Sequence, residues 1–127
     1  MPGVKRILAY PPASSFVPSD SVEPEDLISG TPDDNDSEHF VSSDGKATCG
    51  VWTCGAYKEH IPSFPYNELF VVIEGTLTVT VDGGEPETFA AGDVFAIEQG
   101  TACTLDFRTP FRKIYMNYEQ GLPAGSG

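Results

Sequence analysis

Between residues 46 and 118 the chain alternates short strand-like runs with turn signals, and this pattern constrains the fold more than any other. The 13 glycines and 11 prolines in 127 residues favour many turns and few long helices. The run 77–82 alternates apolar and polar residues, and Asp82-Gly83-Gly84 supplies a hairpin turn after it. Predicted strands cover residues 47–54, 67–73, 77–82, 87–89, 94–97, 103–107 and 111–118. A series of short strands of this kind predicts an all-β sandwich or barrel.

The 127-residue chain has the length of one domain, and its composition divides it into three parts. Residues 1–45 are expected to form an acidic N-terminal arm, because positions 20–38 carry eight of the nineteen acidic residues and no Lys or Arg. Residues 46–119 hold the predicted strands and form the body of the fold. Residues 120–127 are expected to be a flexible tail.

Two stretches of the acidic arm carry local signals. Residues 22–30 could form one short helix, since Pro24 suits a first turn and Gly30 suits the end. Residues 33–39 resemble the start of a calcium-binding loop, but Glu38 stands where such a loop needs Gly. We therefore expect residues 33–39 to be a solvated loop.

The net charge and the cysteines limit which partners and which cellular compartment we expect for this protein. The net charge of −12 argues against nucleic acid and anionic membrane surfaces as partners. The start of the chain has too short an apolar run for a secretory signal, and the run 69–73 is far too short to span a bilayer. Cys49, Cys54 and Cys103 show no CxxC spacing, which fits free thiols in a reducing compartment. We expect a cytoplasmic protein that binds neither nucleic acid nor membranes.

The predicted strand 67–73 contains a carboxylate, Glu68, within the sequence YNELFVVIEG. Strand interiors are depleted in Glu, and burying a carboxylate is costly unless a partner compensates its charge. Because side chains alternate along a strand, Glu68 shares a face with Tyr66, Phe70 and Val72. Glu68 is therefore a candidate functional residue, with a purely structural hydrogen bond to backbone or a tyrosine as the alternative.

Glycine spacing around Glu68 resembles the sequence motifs of the cupin family. Glu68, six intervening residues and Gly75 match the second half of the first cupin motif, and the stretch 92–107 keeps Gly92 and Gly100 of the second. The chain resembles more narrowly the ureidoglycine aminohydrolase-like cupins, a group that includes the ethanolamine-utilisation cupins. The segments that carry this narrower resemblance are GVWTCGAY, PYNELFVVIEGTLTVT, FAAGDVFAIEQG and FRKIY.

The resemblance implies a cupin jelly-roll barrel, or double-stranded β-helix, as a single domain with an N-terminal arm. In cupins such an arm often packs across a partner subunit, so the resemblance also implies a homodimer. The glutamate of the first motif points into the barrel in cupins, which would place Glu68, Tyr66 and Phe70 near a cavity. Trp52 and Tyr115, which match the GVW and RKIY segments of the group, would line its wall.

The chain departs from the family at the metal site, for which a cupin normally supplies three imidazoles and one carboxylate. The histidines of the first motif should lie within residues 61–64, where the sequence is IPSF, and Cys103 stands at the histidine position of the second motif. Glu68 alone is retained, with Cys103 as a soft substitute ligand. We therefore favour no cofactor. The alternative is a divalent metal (Zn, Mn, Fe or Ni) held by Glu68, Cys103 and His60.

Two functions of different class follow from these features. We favour a binding module for a small polar metabolite, whose ligand-binding residues would be Trp52, Tyr66, Phe70, Cys103 and Tyr115. The alternative is a hydrolase, isomerase or lyase acting on a small molecule, with Glu68 as acid/base and Tyr66 or Lys113 assisting. Strand alternation separates Lys113 from Arg112 but does not tell which of the two faces the cavity.

Overall fold

The computed structural model describes residues 2–121, which are built almost entirely from β-strands and turns. Met1 and residues 122–127 lie outside the described residues, and with them most of the expected tail. The strands are β1 Val17–Pro18, β2 Leu27–Gly30, β3 Asn35–Val41, β4 Ala47–Cys54, β5 Tyr57–Ile61, β6 Asn67–Glu74, β7 Thr76–Val81, β8 Glu87–Ala90, β9 Val94–Ile97, β10 Cys103–Phe107 and β11 Phe111–Tyr118. Two 3-10 turns, Ala13–Ser15 and Pro24–Asp26, precede β1 and β2. Within residues 2–121 no helix has the length and apolar character needed to cross a membrane.

The strands form two antiparallel sheets with the hydrophobic core between them. One sheet has the order β1-β3-β4-β11-β6-β9, and the other has the order β2-β5-β10-β7-β8. Neighbours within each sheet are mostly distant in the chain, because in a jelly roll the chain passes repeatedly from one sheet to the other. Trp52 of the first sheet packs on Phe107 of the second, with 5.6 Å between ring centroids. The predicted all-β jelly-roll fold is confirmed.

Each of the strands predicted between residues 47 and 118 forms, with ends within one residue of the prediction. The sequence did not predict β5, although Tyr57, Glu59 and Ile61 alternate with polar residues along it. The charged residues within YKEHI hide this alternation, because Tyr57 and Glu59 are both buried despite their polar groups.

The acidic arm also contributes strands to both sheets. β3 pairs with β4, and β2 pairs with β5. Residues 35–39 therefore belong to a strand and not to the expected solvated loop, because pairing with β4 satisfies their backbone groups. Residues 22–30 form one 3-10 turn followed by β2, where the sequence suggested a short helix. Farther upstream, Arg112 Nη1 donates a hydrogen bond to the carbonyl of Ala9 at 2.8 Å and holds the start of the arm.

Alternation along two neighbouring strands decides which side chains reach the interior. In β6, Glu68 and Phe70 are buried, and Leu69 between them is partly exposed on the outer face. In β11, Lys113 and Tyr115 are buried, and Arg112 lies on the outer face, where its Nε pairs with the Glu74 carboxylate at 3.1 Å. The structure thus settles which of the two basic residues faces inward.

Gly75 of the first motif makes the tight turn between β6 and β7. Its φ is +85°, and a Cβ atom there would lie 2.2 Å from the carbonyl oxygen of Pro110. A side chain would therefore be strained and would also collide with backbone, so this position requires glycine.

Candidate ligand cavity

A cavity of about 400 Å³ lies between the two sheets. The six-stranded sheet lines it with Asp36, Trp52, Glu68, Phe70, Lys113, Tyr115 and Asn117. The five-stranded sheet lines it with Tyr57, Glu59, Ile61, Leu105 and Phe107. The connection 62–66 and four polar residues of the arm complete the lining. The lining combines seven aromatic residues with polar and charged groups, and aromatic walls with polar groups that can orient a ligand are typical of a small-molecule site.

Glu68 and Lys113 form a buried ion pair at the wall of this cavity. Lys113 Nζ donates to Glu68 Oε2, and the exposed fractions of the two side chains are 9% and 3%. The ammonium group also lies 4.0 Å from the ring centroid of Phe70 and 4.6 Å from that of Trp52. Both rings present their electron-rich faces to the cation, which compensates part of the hydration that Lys113 loses on burial.

The pKa of Glu68 reflects two opposing effects. Burial raises the pKa of this carboxyl, and the charge and hydrogen bond of Lys113 lower it. Asp36 adds a smaller effect that raises the pKa of Glu68. The net direction of the pKa of Glu68 is upward, and a carboxyl with a raised pKa in a cavity is a candidate functional group.

Asp36 is a second carboxylate in the cavity, and the sequence did not single it out. Its Oδ1 accepts a hydrogen bond from the Tyr115 hydroxyl at 2.6 Å. Burial raises the pKa of Asp36, although Tyr115 and Lys113 act in the opposite direction. The residue lies in β3, the strand that the sequence led us to expect as a loop. Recognising β3 was therefore necessary for placing Asp36 in the site.

Glu59 is a third carboxylate in the cavity and comes from the opposite sheet. It is 6% exposed, and its Oε1 accepts a hydrogen bond from the Tyr57 hydroxyl at 2.8 Å. Burial raises the pKa of Glu59, and the Tyr57 hydrogen bond opposes that rise. The alternation of Tyr57, Glu59 and Ile61 is the sequence signal that could have placed Glu59 on the inner face.

Asp34 connects the arm to the cavity wall. Its Oδ2 accepts hydrogen bonds from the hydroxyl groups of Ser19 and Ser21, and from the backbone N–H of Ser21 at 3.1 Å. The same oxygen lies 3.3 Å from Trp52 Nε1. Burial tends to raise the pKa of Asp34, but the serine hydrogen bonds outweigh it and the net shift is downward. A charged Asp34 therefore fixes both the arm and the Trp52 ring.

The structure brings most of the predicted site residues together. Those that line the cavity are Trp52, Tyr66, Glu68, Phe70, Lys113 and Tyr115. Cys103 does not line it; this thiol lies in the hydrophobic core with an exposed fraction of 0%. His60 lies on the outer side of the five-stranded sheet, where its Nε2 is 3.0 Å from the Asp82 carboxylate. The alternative metal-ligand set of Glu68, Cys103 and His60 is therefore not assembled, because β5 and β10 point these groups in different directions.

The cavity does not fit a metal site of three imidazoles and one carboxylate. Neither of the two histidines lines it, since His60 pairs with Asp82 and His39 Nδ1 contacts the Ser37 carbonyl at 2.8 Å. In the part of the chain that the structure describes, no three His, Cys, Asp or Glu side chains are grouped to hold a metal ion. Lys113 donates a hydrogen bond to Glu68, the carboxylate that a cupin would offer to its metal.

Comparison with known families gives a match over more than half of the chain. The family described as the EutQ-like cupin domain matches residues 41–115. No protein of curated function matches the sequence.

Solved structures share the fold at low sequence identity. A protein of unknown function from Pseudomonas syringae superposes with a TM-score of 0.79 and 24% identity over 87% of this chain and 46% of its own. This chain thus spans less than half the length of that protein. Ethanolamine utilization protein Q from Salmonella typhimurium gives a TM-score of 0.58 and 24% identity over 69% of this chain and 71% of its own. Ectoine synthase from P. lautus gives a TM-score of 0.59 and 19% identity over 84% of this chain and 90% of its own. At these identities the similarity shows the fold.

Proposed function

The chain belongs to the EutQ-like cupin family, and on that basis we propose that it binds a small polar metabolite in the cavity between its sheets. The observation that carries this proposal is the buried Glu68–Lys113 pair in an aromatic cavity of about 400 Å³. Pockets for small molecules usually measure about 300–1,000 Å³ and combine apolar walls with a few polar groups that orient the ligand.

The energetics of the ion pair support a role in binding. Taking two charges out of water costs several kcal/mol per ion, and packed apolar residues at such positions often give an equally stable protein. Stability alone therefore gives little reason for Glu68 and Lys113 to be charged. A ligand that contacts the remaining donors of Lys113 or the free oxygen of Glu68 would supply that reason.

An enzymatic role is the second candidate, and the raised pKa of Glu68 favours it. A carboxyl group of this kind can act as a general acid or base, with Lys113 in contact and Tyr66 on the same face. The reaction would be that of a hydrolase, isomerase or lyase. This candidate includes ligand binding in the same cavity and adds a chemical step.

Native mass spectrometry of the protein purified without chelator tests the proposal. We expect a co-purified small molecule, or a small molecule from a metabolite panel that raises the melting temperature, and substoichiometric metal. Lys113→Met should abolish the effect of the ligand, and Lys58→Met, outside the cavity lining, should retain it. Absence of any ligand from both measurements would contradict the proposal. One tightly held transition metal per chain would contradict the cofactor-free form of the site.

We also propose that the protein is a homodimer formed through the outer face of the six-stranded sheet. Cross-strand pairing places two apolar rows side by side on this face: Phe40, Cys49, Met116, Leu69 and Ala96 in one row, and Ile114, Val71 and Val94 in the other. Met116 and Val94 are 44% and 59% exposed. Contiguous apolar surface of this kind is uncommon on monomers. Uncharged rows of this kind also suit self-association of a chain with a net charge of −12, since acidic surfaces would repel.

The cytoplasm is the compartment we propose for this protein. Cys49, Cys54 and Cys103 are free thiols, two of them buried. Free thiols persist in a reducing environment, and the acidic chain has little attraction for nucleic acid or anionic membranes.

A further inference from the structure

Several hydrogen-bond acceptors of the cavity have no donor partner among the described residues. Tyr115 donates to Oδ1 of Asp36, and Tyr57 donates to Oε1 of Glu59. Among the hydrogen bonds of residues 2–121, the second oxygen of each carboxylate takes no part. Asn117 Oδ1 is likewise buried without a partner in the described part of the chain. A ligand that satisfies these groups must bring N–H or O–H donors.

The charges around the cavity are also unbalanced. Glu23, Asp26, Asp36, Glu59 and Glu68 line the cavity, and Lys113 is the one basic side chain that the described lining contains. Lys113 is already paired with Glu68. The negative charge of Asp36, from one sheet, and of Glu59, from the other, therefore has no cationic partner in hydrogen-bond contact.

The aromatic walls suit a cation as well. Phe70 and Trp52 already hold the Lys113 ammonium at 4.0 and 4.6 Å, which shows that a cation can lie against these rings. Tyr57 stacks on Phe107 with 4.9 Å between centroids, and both rings line the same cavity beside Glu59. A cation at this end would lie near these two rings and the Glu59 carboxylate.

We propose that the cavity selects a small organic amine in its protonated form, bound through N–H groups to Asp36 and Glu59 against the aromatic wall. This inference deepens the proposed function and rests on it. An ammonium with N–H groups satisfies the free carboxylate oxygens, whereas a carboxylate ligand would face the acidic groups of the lining and compete with Glu68 for Lys113. A neutral alcohol could donate one hydrogen bond but would leave the charges uncompensated.

The titration behaviour of the two carboxyls agrees with this geometry. Burial raises the pKa of both Asp36 and Glu59, which means that their surroundings stabilise the charged forms poorly. A cation placed beside them would reverse that effect.

A series of probes matched in size but different in charge tests the inference. Butylamine and 1,4-diaminobutane carry ammonium groups, 1-butanol is neutral, and butyrate is anionic. Calorimetric or NMR titration of the full chain should give amine dissociation constants about tenfold or more below those of 1-butanol and butyrate. Equal affinity for the three charge types, preference for butyrate, or no detectable amine binding would overturn the inference.

Two substitutions locate the amine, and a third serves as control. Asp36→Asn and Glu59→Gln should each weaken amine binding about fivefold or more and leave 1-butanol binding unchanged. Asp82→Asn removes a carboxylate on the outer side and should leave both affinities unchanged. Melting temperatures check that each variant is folded; if Asp36→Asn is not, Glu59→Gln and the probe series decide. Loss of amine binding equally in Asp82→Asn would point to bulk charge and contradict the inference.

The outcome separates this inference from the proposed function. Binding of butyrate or 1-butanol in the cavity, lost in Lys113→Met, would keep the metabolite-binding proposal and refute amine selectivity. Absence of any ligand by native mass spectrometry together with failure of every probe would refute both.

Discussion

The Glu68–Lys113 pair is buried on both sides, so its contribution to stability depends on what remains when one partner is changed. Removing one member of a buried pair leaves an uncompensated charge, which typically costs about 3–5 kcal/mol. Replacing both members by neutral groups of similar size removes the charge altogether. The double substitution should therefore cost less stability than either single substitution.

We expect Glu68→Gln to lower the free energy of unfolding by about 3–5 kcal/mol, because Lys113 stays buried beside a neutral amide. The double variant Glu68→Gln/Lys113→Met should recover most of that loss. Urea denaturation of the wild type, both single variants and the double variant gives the coupling free energy. Equal stability of Glu68→Gln and wild type would show that the pair is exposed to solvent in solution.

Glu59 should make the protein less stable as the pH rises. Its pKa in the folded state is raised above the ordinary glutamate value, so the folded state binds the proton more tightly than the unfolded state does. The stability from this group is complete below the ordinary carboxyl pKa of about 4 and is lost as the pH rises through the raised value. Melting temperatures measured across this range should fall more steeply for wild type than for Glu59→Gln.

Groups with lowered pKa values make the protein more stable as the pH rises. The effect of Glu59 is therefore measured as the difference between wild type and Glu59→Gln. Asp34 contributes stability above its unfolded-state pKa and loses it as the pH falls. Asp34 is present in both proteins, so its effect cancels in the difference. A pH profile of Glu59→Gln parallel to that of wild type would contradict the raised pKa of Glu59.

At the scale of elements, the arm is part of the fold because its strands pair with the body and its side chains bond to Trp52. Asp34 Oδ2 accepts hydrogen bonds from Ser19, Ser21 and Trp52. A buried acceptor that several donors share is costly to remove, since each donor then loses its partner.

Asp34→Ala should destabilise the protein by about 1–3 kcal/mol and loosen the arm over Trp52. Trp52 is the chain's single tryptophan, so its fluorescence reports this site alone and should shift to longer wavelength as water enters. Glu38→Ala, which removes an exposed acid of the adjoining strand β3, is the matched control and should leave both stability and emission unchanged. An unshifted spectrum for Asp34→Ala would show that the arm does not shield the indole.

The sequence predicted those elements in which the residue pattern and the burial pattern agree. In β6, an apolar run follows Glu68, so alternation alone placed Glu68 and Phe70 on one face. In β3 and β5 the inward positions hold Asp36 and Glu59. A hydrophobicity pattern assigns acidic residues to exposed positions, so it does not indicate that these two side chains face inward. The hydroxyl donor to Asp36 is Tyr115, which is distant in the chain and not deducible from spacing, whereas the donor to Glu59 is Tyr57 of the same strand.

The inward orientation of Lys113 also required the structure. Alternation separates it from Arg112, but either residue could have been the inner one until the register of β11 against β4 and β6 was known. That register places Lys113 opposite Trp52, within reach of Glu68. The aromatic residues of the cavity could thus be predicted from the sequence. The pairing of its polar groups could not, because it depends on tertiary contacts.

For the whole molecule, the two sheets differ in what their outer faces present. The outer side of the five-stranded sheet carries polar groups such as Thr80, Thr104 and His60, which lie next to one another across β7, β10 and β5. The outer side of the six-stranded sheet carries the two apolar rows described above. Burial of apolar area contributes about 25 cal/mol per Å², so association through the apolar face is the favourable one.

Light scattering coupled to size-exclusion chromatography should therefore give the mass of a dimer for the wild type. Met116→Arg combined with Val94→Arg should give a monomer, because each guanidinium would have to be desolvated in the interface. Thr80→Arg adds the same charge to the outer face of the other sheet and should remain a dimer. A C2 interface repeats each substitution twice, so even one arginine at its centre should weaken the dimer strongly. A monomeric wild type, or equal dissociation of Thr80→Arg, would place the self-association elsewhere or exclude it.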